Sequence, residues 1–154
     1  MLILQAYTKA LSLKKTDNFD IYLNRAITYA MMNQFNNAIL DFDTASAMKS
    51  DDEKLLQNRS FVYLQSKNYE KSIADYDILL AKYAYDKTSQ TTNYFNRGLA
   101  KFNSGKFEDA ITDFNESIKL KPDYKEAYFN ISVAYNQLKR YKEALDWAQK
   151  AKAI

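Results

Sequence analysis

The chain has 154 residues, 47% of them hydrophobic and 27% charged, and this balance is typical of a soluble globular class of protein. It contains no cysteine and no histidine, which excludes disulfides, zinc fingers and catalysis by a thiol or an imidazole. The formal net charge is only +3, and the basic excess lies at the C-terminal end, where residues 119–154 carry eight basic and four acidic side chains.

Only two glycines and one proline occur, and this scarcity favours long helices joined by short turns. The opening apolar run, MLILQAY, is too short for a signal peptide and lacks a basic leader. No other run approaches the ~18 apolar residues of a membrane-spanning helix. We therefore predict no membrane insertion.

Residues 1–18 are predicted to form one helix followed by a turn. Tyr7 and Ala10 occupy positions that recur in the second helix of each later repeat, but no first helix precedes them. The segment is therefore either a half repeat, cut from a longer array, or a capping helix, and we favour the half repeat.

A pattern of about 34 residues then recurs four times, and we name its copies repeats one to four. They span residues 19–52, 53–90, 91–124 and 125–154, the last truncated at its C-terminus. In the first half of each copy a large residue is followed four positions later by a small one: Tyr22 and Ala26, Leu56 and Ser60, Tyr94 and Gly98, Tyr128 and Ser132. The second half has its key positions at the i, i+4, i+7 spacing of one helix face: Ala38, Phe42 and Ala45; Ser72, Tyr76 and Leu79; Ala110, Phe114 and Ser117; Ala144, Ala148 and Ala151. Each repeat is thus predicted to be a helical hairpin.

The predicted helices of repeat one cover residues 20–33 and 36–48, and those of repeat four cover 125–138 and 141–153. Repeats two and three are separated by 38 residues instead of 34. We assign the four extra residues to the second helix of repeat two, which is predicted to run to about Tyr85 and to be followed by a loop from Asp86 to Gln90.

Repeat three contains both turn signals, with Gly105 between its helices and Pro122 after the second. Its positions resemble the tetratricopeptide repeat signature of a large residue, a small one, an aromatic, Ala, an aromatic, a small residue and Pro. These positions hold Tyr94, Gly98, Lys101, Ala110, Phe114, Ser117 and Pro122. Only Lys101 departs clearly from the signature, and we expect Phe102 to take its buried place. The resemblance implies an all-α fold, a right-handed α-solenoid of helix-turn-helix repeats that forms a single continuous domain.

No residue pattern indicates catalysis, and we expect neither enzymatic activity nor a cofactor or metal. The two glycines do not form a phosphate-binding loop. The acidic pairs Asp41/Asp43 and Asp75/Asp77 are two residues apart on helices, so their carboxylates are predicted to lie on different faces.

An arginine and an aspartate recur 16 residues apart in the first three repeats. The pairs are Arg25 and Asp41, Arg59 and Asp75, Arg97 and Asp113, whereas repeat four has Ile131 and Trp147. We predict that each arginine bonds the aspartate of its own or an adjacent repeat, and that Ile131 packs on Trp147. The alternative is a row of arginines that binds an anionic ligand.

The family resemblance implies a protein–protein interaction module that holds a partner segment in a concave groove. One position of the first helix is asparagine in all four repeats, and we call Asn24, Asn58, Asn96 and Asn130 the asparagine row. In the family this position lines the inner surface, where an amide can both donate to and accept from a peptide backbone. Neighbouring positions would add apolar contacts: Leu23, Ile27, Phe61, Phe95, Leu99, Phe129 and Val133. We predict binding of an extended or partly helical peptide, the alternative being that the asparagines bond a neighbouring helix.

The residues at these groove positions also indicate which other classes of partner to expect. An RNA-binding repeat would need a basic groove, but the leading groove positions Asp20, Lys54, Thr92 and Glu126 have no positive bias, so we expect no nucleic acid. The family's clamp for a chaperone C-terminal carboxylate requires Lys and Asn where this chain has Leu23 and Ile27, or Gln57 and Phe61, so that clamp is predicted to be absent. Leu145, Ala148 and Ala151 make the last helix a weak cap, which leaves end-to-end self-association of a structural segment as an alternative function.

Overall fold

The structure, a computed structural model, describes residues 2–13, 18–83 and 86–154. In these ranges it contains nine α-helices and no strand. The helices are α1 Leu2–Leu13, α2 Phe19–Met31, α3 Phe35–Met48, α4 Glu53–Gln65, α5 Tyr69–Lys82, α6 Lys87–Asn103, α7 Phe107–Leu120, α8 Lys125–Gln137 and α9 Tyr141–Ala153. The predicted helices of repeats one and four agree with these bounds to within two residues.

The same three-residue turn joins the two helices of every repeat. Its middle residue has a positive φ: Asn33 at 56°, Lys67 at 63°, Gly105 at 83° and Lys139 at 58°. The amide of the next residue donates to a carbonyl five residues earlier, as Lys106 does to Lys101 at 2.9 Å and Arg140 to Tyr135 at 2.9 Å. This is the Schellman arrangement, which satisfies carbonyls at a helix end through a left-handed residue.

The chain divides into two compact units, Met1–Asn68 and Tyr69–Ile154, which we call unit one and unit two. In unit one, α2 packs on α3, α3 on α4, and α1 on α2. Its core contains Leu23 and Ala26 of α2, Phe42 of α3, and Leu55 and Leu56 of α4. The single continuous domain and the repeat boundaries inferred from the sequence stay predictions.

In unit two, α5 packs on α6, α6 on α7, α7 on α8, and α8 on α9. Helices α6 and α7 approach each other closely at Gly98 of α6, where an added Cβ would lie 2.7 Å from the ring of Phe114 on α7. Phe114 is fully buried. The small residue expected at this position therefore lets the two backbones come together.

The four extra residues between repeats two and three lengthen α6, not α5. Helix α6 has 17 residues, whereas the first helices of the other repeats have 13. The predicted loop from Asp86 to Gln90 is wrong beyond its first residue, because the Asp86 carboxylate accepts a 2.7 Å hydrogen bond from the Ser89 amide and caps α6. Helix α5 ends at Lys82, and its predicted end at Tyr85 falls outside the described residues.

The predicted arginine–aspartate pairs are confirmed in repeats one and three. Arg25 donates to both carboxylate oxygens of Asp41 at 2.6 and 2.7 Å. Arg97 does the same to Asp113 at 2.8 and 2.6 Å. The corresponding pair of repeat two, Arg59 and Asp75, has its members in different units and stays a prediction.

Repeat four replaces this ion pair by apolar packing, as predicted. Ile131 is fully buried in a cluster with Ala110, Phe114 and Ala127, and Trp147 packs against that cluster. Elsewhere, the acidic pairs point apart: Asp75 is buried, whereas the side chain of Asp77 is 56% exposed.

Candidate functional site

In unit one, the asparagine row lies on α2 and α4, and both asparagines are half-buried. Lys54 Nζ of α4 donates a 3.3 Å hydrogen bond to Asn24 Oδ1 of α2. The amide nitrogen of Asn58 donates to the backbone carbonyl of Lys54 at 2.7 Å. Asn24 therefore does bond a residue of a neighbouring helix, whereas Asn58 bonds its own helix.

In unit two, the row lies on α6 and α8, where Asn96 and Asn130 are again half-buried. The Asn130 amide nitrogen donates to the carbonyl of Glu126 at 2.7 Å, which is the same bond that Asn58 makes four residues back along its own helix. An amide has two N–H donors and a carbonyl acceptor. This bond uses one donor, so each of these side chains keeps one N–H and its oxygen for a ligand.

Large apolar side chains stand exposed beside the row. Phe61 of α4 is 48% exposed and Phe129 of α8 is 59% exposed. Ile27, Leu99 and Val133 are half-buried. A partner that covered Phe61 or Phe129 would remove apolar surface from water, which favours binding.

Two residues predicted for the groove are covered by the protein itself. Leu23 is only 2% exposed because it packs in the core of unit one, so it has no surface to offer a partner. Phe95 is half-buried, with its ring centroid 5.6 Å from that of Phe114 and 4.7 Å from that of Tyr124. We therefore leave Leu23 out of the proposed contact surface and assign Phe95 mainly to packing.

Unit two has two pockets, and one of them includes a residue of the asparagine row. One, of about 570 Å³, is lined by Phe129 and Asn130 together with Lys125, Glu126, Ala148, Ala151 and Lys152. The other, of about 370 Å³, is lined by Lys87, Thr88, Thr91, Thr92, Leu120, Lys121 and Tyr124. Burial raises the pKa of the Tyr124 phenol, and the negative charge of Glu126 raises it further.

The contribution of the second helices to these pockets was not predicted from the sequence. Ala148 and Ala151 of α9 form one wall beside Phe129 because both are small. The repeat pattern has small residues at both positions, and this is the feature of the sequence that could have indicated the pocket wall. Lys87 and Thr88 were missed because they belong to the first turn of α6, which was predicted to be a loop.

The charges around the row are of mixed sign. The leading positions Asp20, Lys54, Thr92 and Glu126 are all exposed. In the part of the chain that the structure describes, no group of three or more Asp, Glu, Cys or His side chains could hold a metal ion. None of the described helices has the length and apolar character needed to cross a membrane.

Comparison with known proteins finds a family match in the C-terminal part of the chain. A family model described as "Tetratricopeptide repeat" matches residues 95–154. Protein O-mannosyl-transferase Tmtc3 of Drosophila melanogaster is 39% identical over 61 residues, which are 40% of this chain and 7% of that protein. Hsp70-Hsp90 organizing protein 3 of Arabidopsis thaliana is 46% identical over 54 residues, which are 35% of this chain and 10% of that protein. The chain thus spans a small part of these curated relatives.

The fold matches over nearly the whole chain. The structure of MamA, residues 41 to the end, from Desulfovibrio magneticus RS-1 is similar with a TM-score of 0.86 at 17% identity, covering 97% of this chain and 82% of that one. At this identity the likeness concerns the fold alone, and the predicted all-α fold class is confirmed. The resemblance to the tetratricopeptide repeat is thus confirmed: the family model matches residues 95–154, and the preceding residues form the same helical hairpins.

Proposed function

We propose that the chain is a protein–protein interaction module that binds an extended or partly helical segment of a partner along the asparagine row. The observation that carries this proposal is an amide with free hydrogen-bonding groups close to an exposed phenylalanine on the same helix. Asn58 lies three residues before Phe61 on α4, and Asn130 directly follows Phe129 on α8. The amides would bond the partner backbone, and the phenylalanines would cover its apolar side chains.

The mixed charges of the leading positions favour a protein partner over RNA, which would require a basic groove. The transferase activity in the name of the Tmtc3 relative is not carried over, because the match covers only 7% of that protein. The chain is proposed to be an interaction module and not an enzyme.

The relative from Arabidopsis thaliana is named for two chaperones, but this chain offers different chemistry. Its side chains at the clamp positions are Leu23 and Ile27, or Gln57 and Phe61, and neither set supplies the cationic and amide groups of a carboxylate clamp. We therefore propose no specific binding of a chaperone tail. Micromolar binding of a tail peptide that disappears when its terminal carboxylate is amidated would contradict this.

The test begins with a displayed library of random peptides, selected against the intact chain. Selected peptides are then measured by fluorescence anisotropy, each in its natural form and with alternate backbone nitrogens methylated. If the amides bond the peptide backbone, methylation will weaken binding although every side chain remains. The double variant Asn96→Ala/Asn130→Ala tests unit two, and Asn24→Ala/Asn58→Ala tests unit one.

Each double variant is expected to weaken binding by about thirtyfold, since each of the two lost hydrogen bonds contributes roughly 1 kcal/mol. The thermal midpoint should barely change. Asn115→Ala is the matched control, because Asn115 of α7 makes the same bond to a carbonyl four residues back, with Ile111 at 3.0 Å. An equal loss in this control, or unchanged affinity in both double variants, would refute the proposal.

A further inference from the structure

The four extra residues at the start of α6 form part of a pocket in unit two. Asn96 lies five residues after Thr91, just as the other members of the asparagine row lie five residues after the first residue of their helices, so residues 87–90 are an additional turn. Lys87 and Thr88 of this turn line the pocket of about 370 Å³ together with the end of α7 and the segment that leads to α8. The pocket therefore depends on a turn that the other first helices, of 13 residues each, lack.

Positive charge is concentrated in this pocket, which we call the lysine pocket. Lys87 and Lys121 line it, and neither forms an ion pair among the described residues. The Lys121 ammonium lies 5.1 Å from the centre of the Tyr124 ring, a cation–π contact that holds it at the pocket. The carboxylates nearest in sequence, those of Asp86 and Asp123, do not line the pocket, and that of Asp86 caps α6. The positive charge thus comes from the two lysines and not from the helix end.

Two hydroxyl groups of the lysine pocket keep a donor for a ligand. The hydroxyls of Thr88 and Tyr124 make no hydrogen bond to another described residue. By contrast, the Thr92 hydroxyl donates to the carbonyl of Thr88 at 3.1 Å. Burial and the charge of Glu126 raise the pKa of Tyr124, so its phenol is protonated at neutral pH and can donate. The pocket therefore offers two cations and two hydroxyl donors.

We propose that the lysine pocket binds the phosphate of a phosphorylated side chain in the partner segment. A phosphate monoester carries a charge of about −1.5 to −2 and three acceptor oxygens, which match two ammonium groups and the hydroxyl donors beside them. A single carboxylate would leave one lysine without a counter-charge. Leu120 and the ring of Tyr124 add apolar surface for the stem of the side chain that carries the phosphate.

The inference rests on the proposed function, because the phosphate would belong to the segment bound along the asparagine row. Thr92 lines the lysine pocket and lies four residues, about one helical turn, before Asn96. A segment bonded to Asn96 would therefore pass close to the pocket. Glu126 is the opposing charge, since it is exposed and acts on Tyr124, although it does not line the pocket.

The first test uses phosphoserine with both ends blocked, added to the isotope-labelled intact chain and followed by NMR. We expect saturable shifts of the amides of Thr88, Thr92 and Lys121, and none with blocked serine. Lys87→Met and Lys121→Met should each weaken binding by about fivefold, because a charge-assisted hydrogen bond is lost but both lysines are exposed to screening by solvent. The double variant should abolish saturation.

Lys49→Met is the matched control. Lys49 follows α3 as Lys121 follows α7, and its ammonium lies 4.5 Å from the centre of the Phe19 ring, but α2 has no extra turn. It should leave phosphoserine binding unchanged. Glu126→Gln should strengthen binding, because it removes the negative charge that acts on Tyr124.

The second test places phosphoserine at each position in turn of a peptide selected against the intact chain. Affinity should rise at one position, and the gain should disappear in the double variant Lys87→Met/Lys121→Met. If the selected peptide binds but no position gains affinity, the lysine pocket is refuted while the proposed function stands. If both phosphorylated and unphosphorylated peptides fail to bind, the proposed function fails first.

Three further results would overturn the inference. Equal weakening by Lys49→Met would mean that the phosphate responds to overall charge. Equal binding of blocked glutamate would make the ligand a carboxylate. Inorganic phosphate that binds as tightly as blocked phosphoserine would show that the stem is not held, so that the ligand is a free phosphate ion and not a phosphorylated segment.

Discussion

Arg97 and Asp113 form a bidentate ion pair across the hairpin of repeat three, and only 2% of the Asp113 side chain is exposed. The same carboxylate also pairs with Lys101 Nζ at 2.8 Å, at the position where the family signature has an aromatic residue. Burial disfavours the charged guanidinium of Arg97, but its bonds to Asp113 and to Asp77 outweigh this and raise the Arg97 pKa. Arg97 thus stays charged, and its ion pair with Asp113 connects α6 to α7.

Replacing Asp113 by Asn should destabilise the chain strongly. Two cations would lose their buried counter-charge, and breaking a buried pair on one side costs about 3–5 kcal/mol. The measurement is urea unfolding followed by the fluorescence of Trp147, the chain's single tryptophan. Asp77→Asn is the control: Asp77 bonds the same Arg97 at 2.6 Å, but its side chain is 56% exposed. It should cost less than about 1 kcal/mol, and equal costs for the two variants would contradict the role of burial.

Gly98→Ala should also destabilise the protein, although alanine favours helices. Overpacking typically costs about 1–3 kcal/mol and exceeds the gain of up to about 1 kcal/mol in helix propensity. The added Cβ would lie 2.7 and 2.8 Å from two ring carbons of Phe114, which is buried and cannot swing away. In a Phe114→Leu background the added methyl has room, so the substitution should cost less there. A purely additive double-mutant cycle would show that the contact is not the cause.

The hairpins could be predicted from the sequence because the buried small and large residues recur at the same positions in each repeat. The repeat pattern could not place the extra four residues of repeat two, since a spacing of 38 fits a longer α5 and a longer α6 equally. Asp86 decides between the two, because it is the N-cap of α6 and its carboxylate accepts a hydrogen bond from the amide of Ser89, three positions later. A cap therefore carried information that the apolar pattern lacked.

Exposure at the candidate site was less predictable than the helices. Phe95 and Phe129 occupy the same repeat position, yet one contacts Tyr124 and the other is 59% exposed. Leu23 next to Asn24 is buried because α2 turns that side toward the core. Whether a repeat position faces a partner or the protein depends on the helix that packs over it, which the repeat pattern does not specify.

The raised pKa of Tyr124 predicts a pH dependence above neutrality. Burial and the charge of Glu126 disfavour its phenolate in the folded chain, whereas an unfolded tyrosine ionises near pH about 10. The stabilisation is therefore complete below about pH 10 and is lost as the pH rises through the raised folded pKa. Tyr124→Phe keeps the ring contact but removes this ionisation.

We thus expect urea midpoints to fall more steeply for the natural chain than for Tyr124→Phe between about pH 9 and about pH 11. Lysines and the other tyrosines titrate in the same range, but they are common to both proteins and cancel in the comparison. Parallel profiles would mean that the phenol of Tyr124 ionises as freely in the folded chain as in the unfolded one.

The recurring turn predicts a stabilising substitution, Lys139→Gly. Lys139 is exposed and held at φ 58°, where a residue with a Cβ is strained by about 1–2 kcal/mol. Glycine removes this strain at the cost of a more flexible unfolded chain, about 0.4–1 kcal/mol. The free energy of unfolding should therefore rise by about 0.5–1 kcal/mol. This is measured as a higher urea midpoint of Trp147 fluorescence, because Trp147 lies on the helix that follows this turn.

Asn33→Gly at the equivalent position of repeat one should raise the free energy of unfolding by less, since asparagine tolerates the left-handed region. A lower midpoint for Lys139→Gly would show that Lys139 stabilises the turn through its side chain by more than its backbone strain costs.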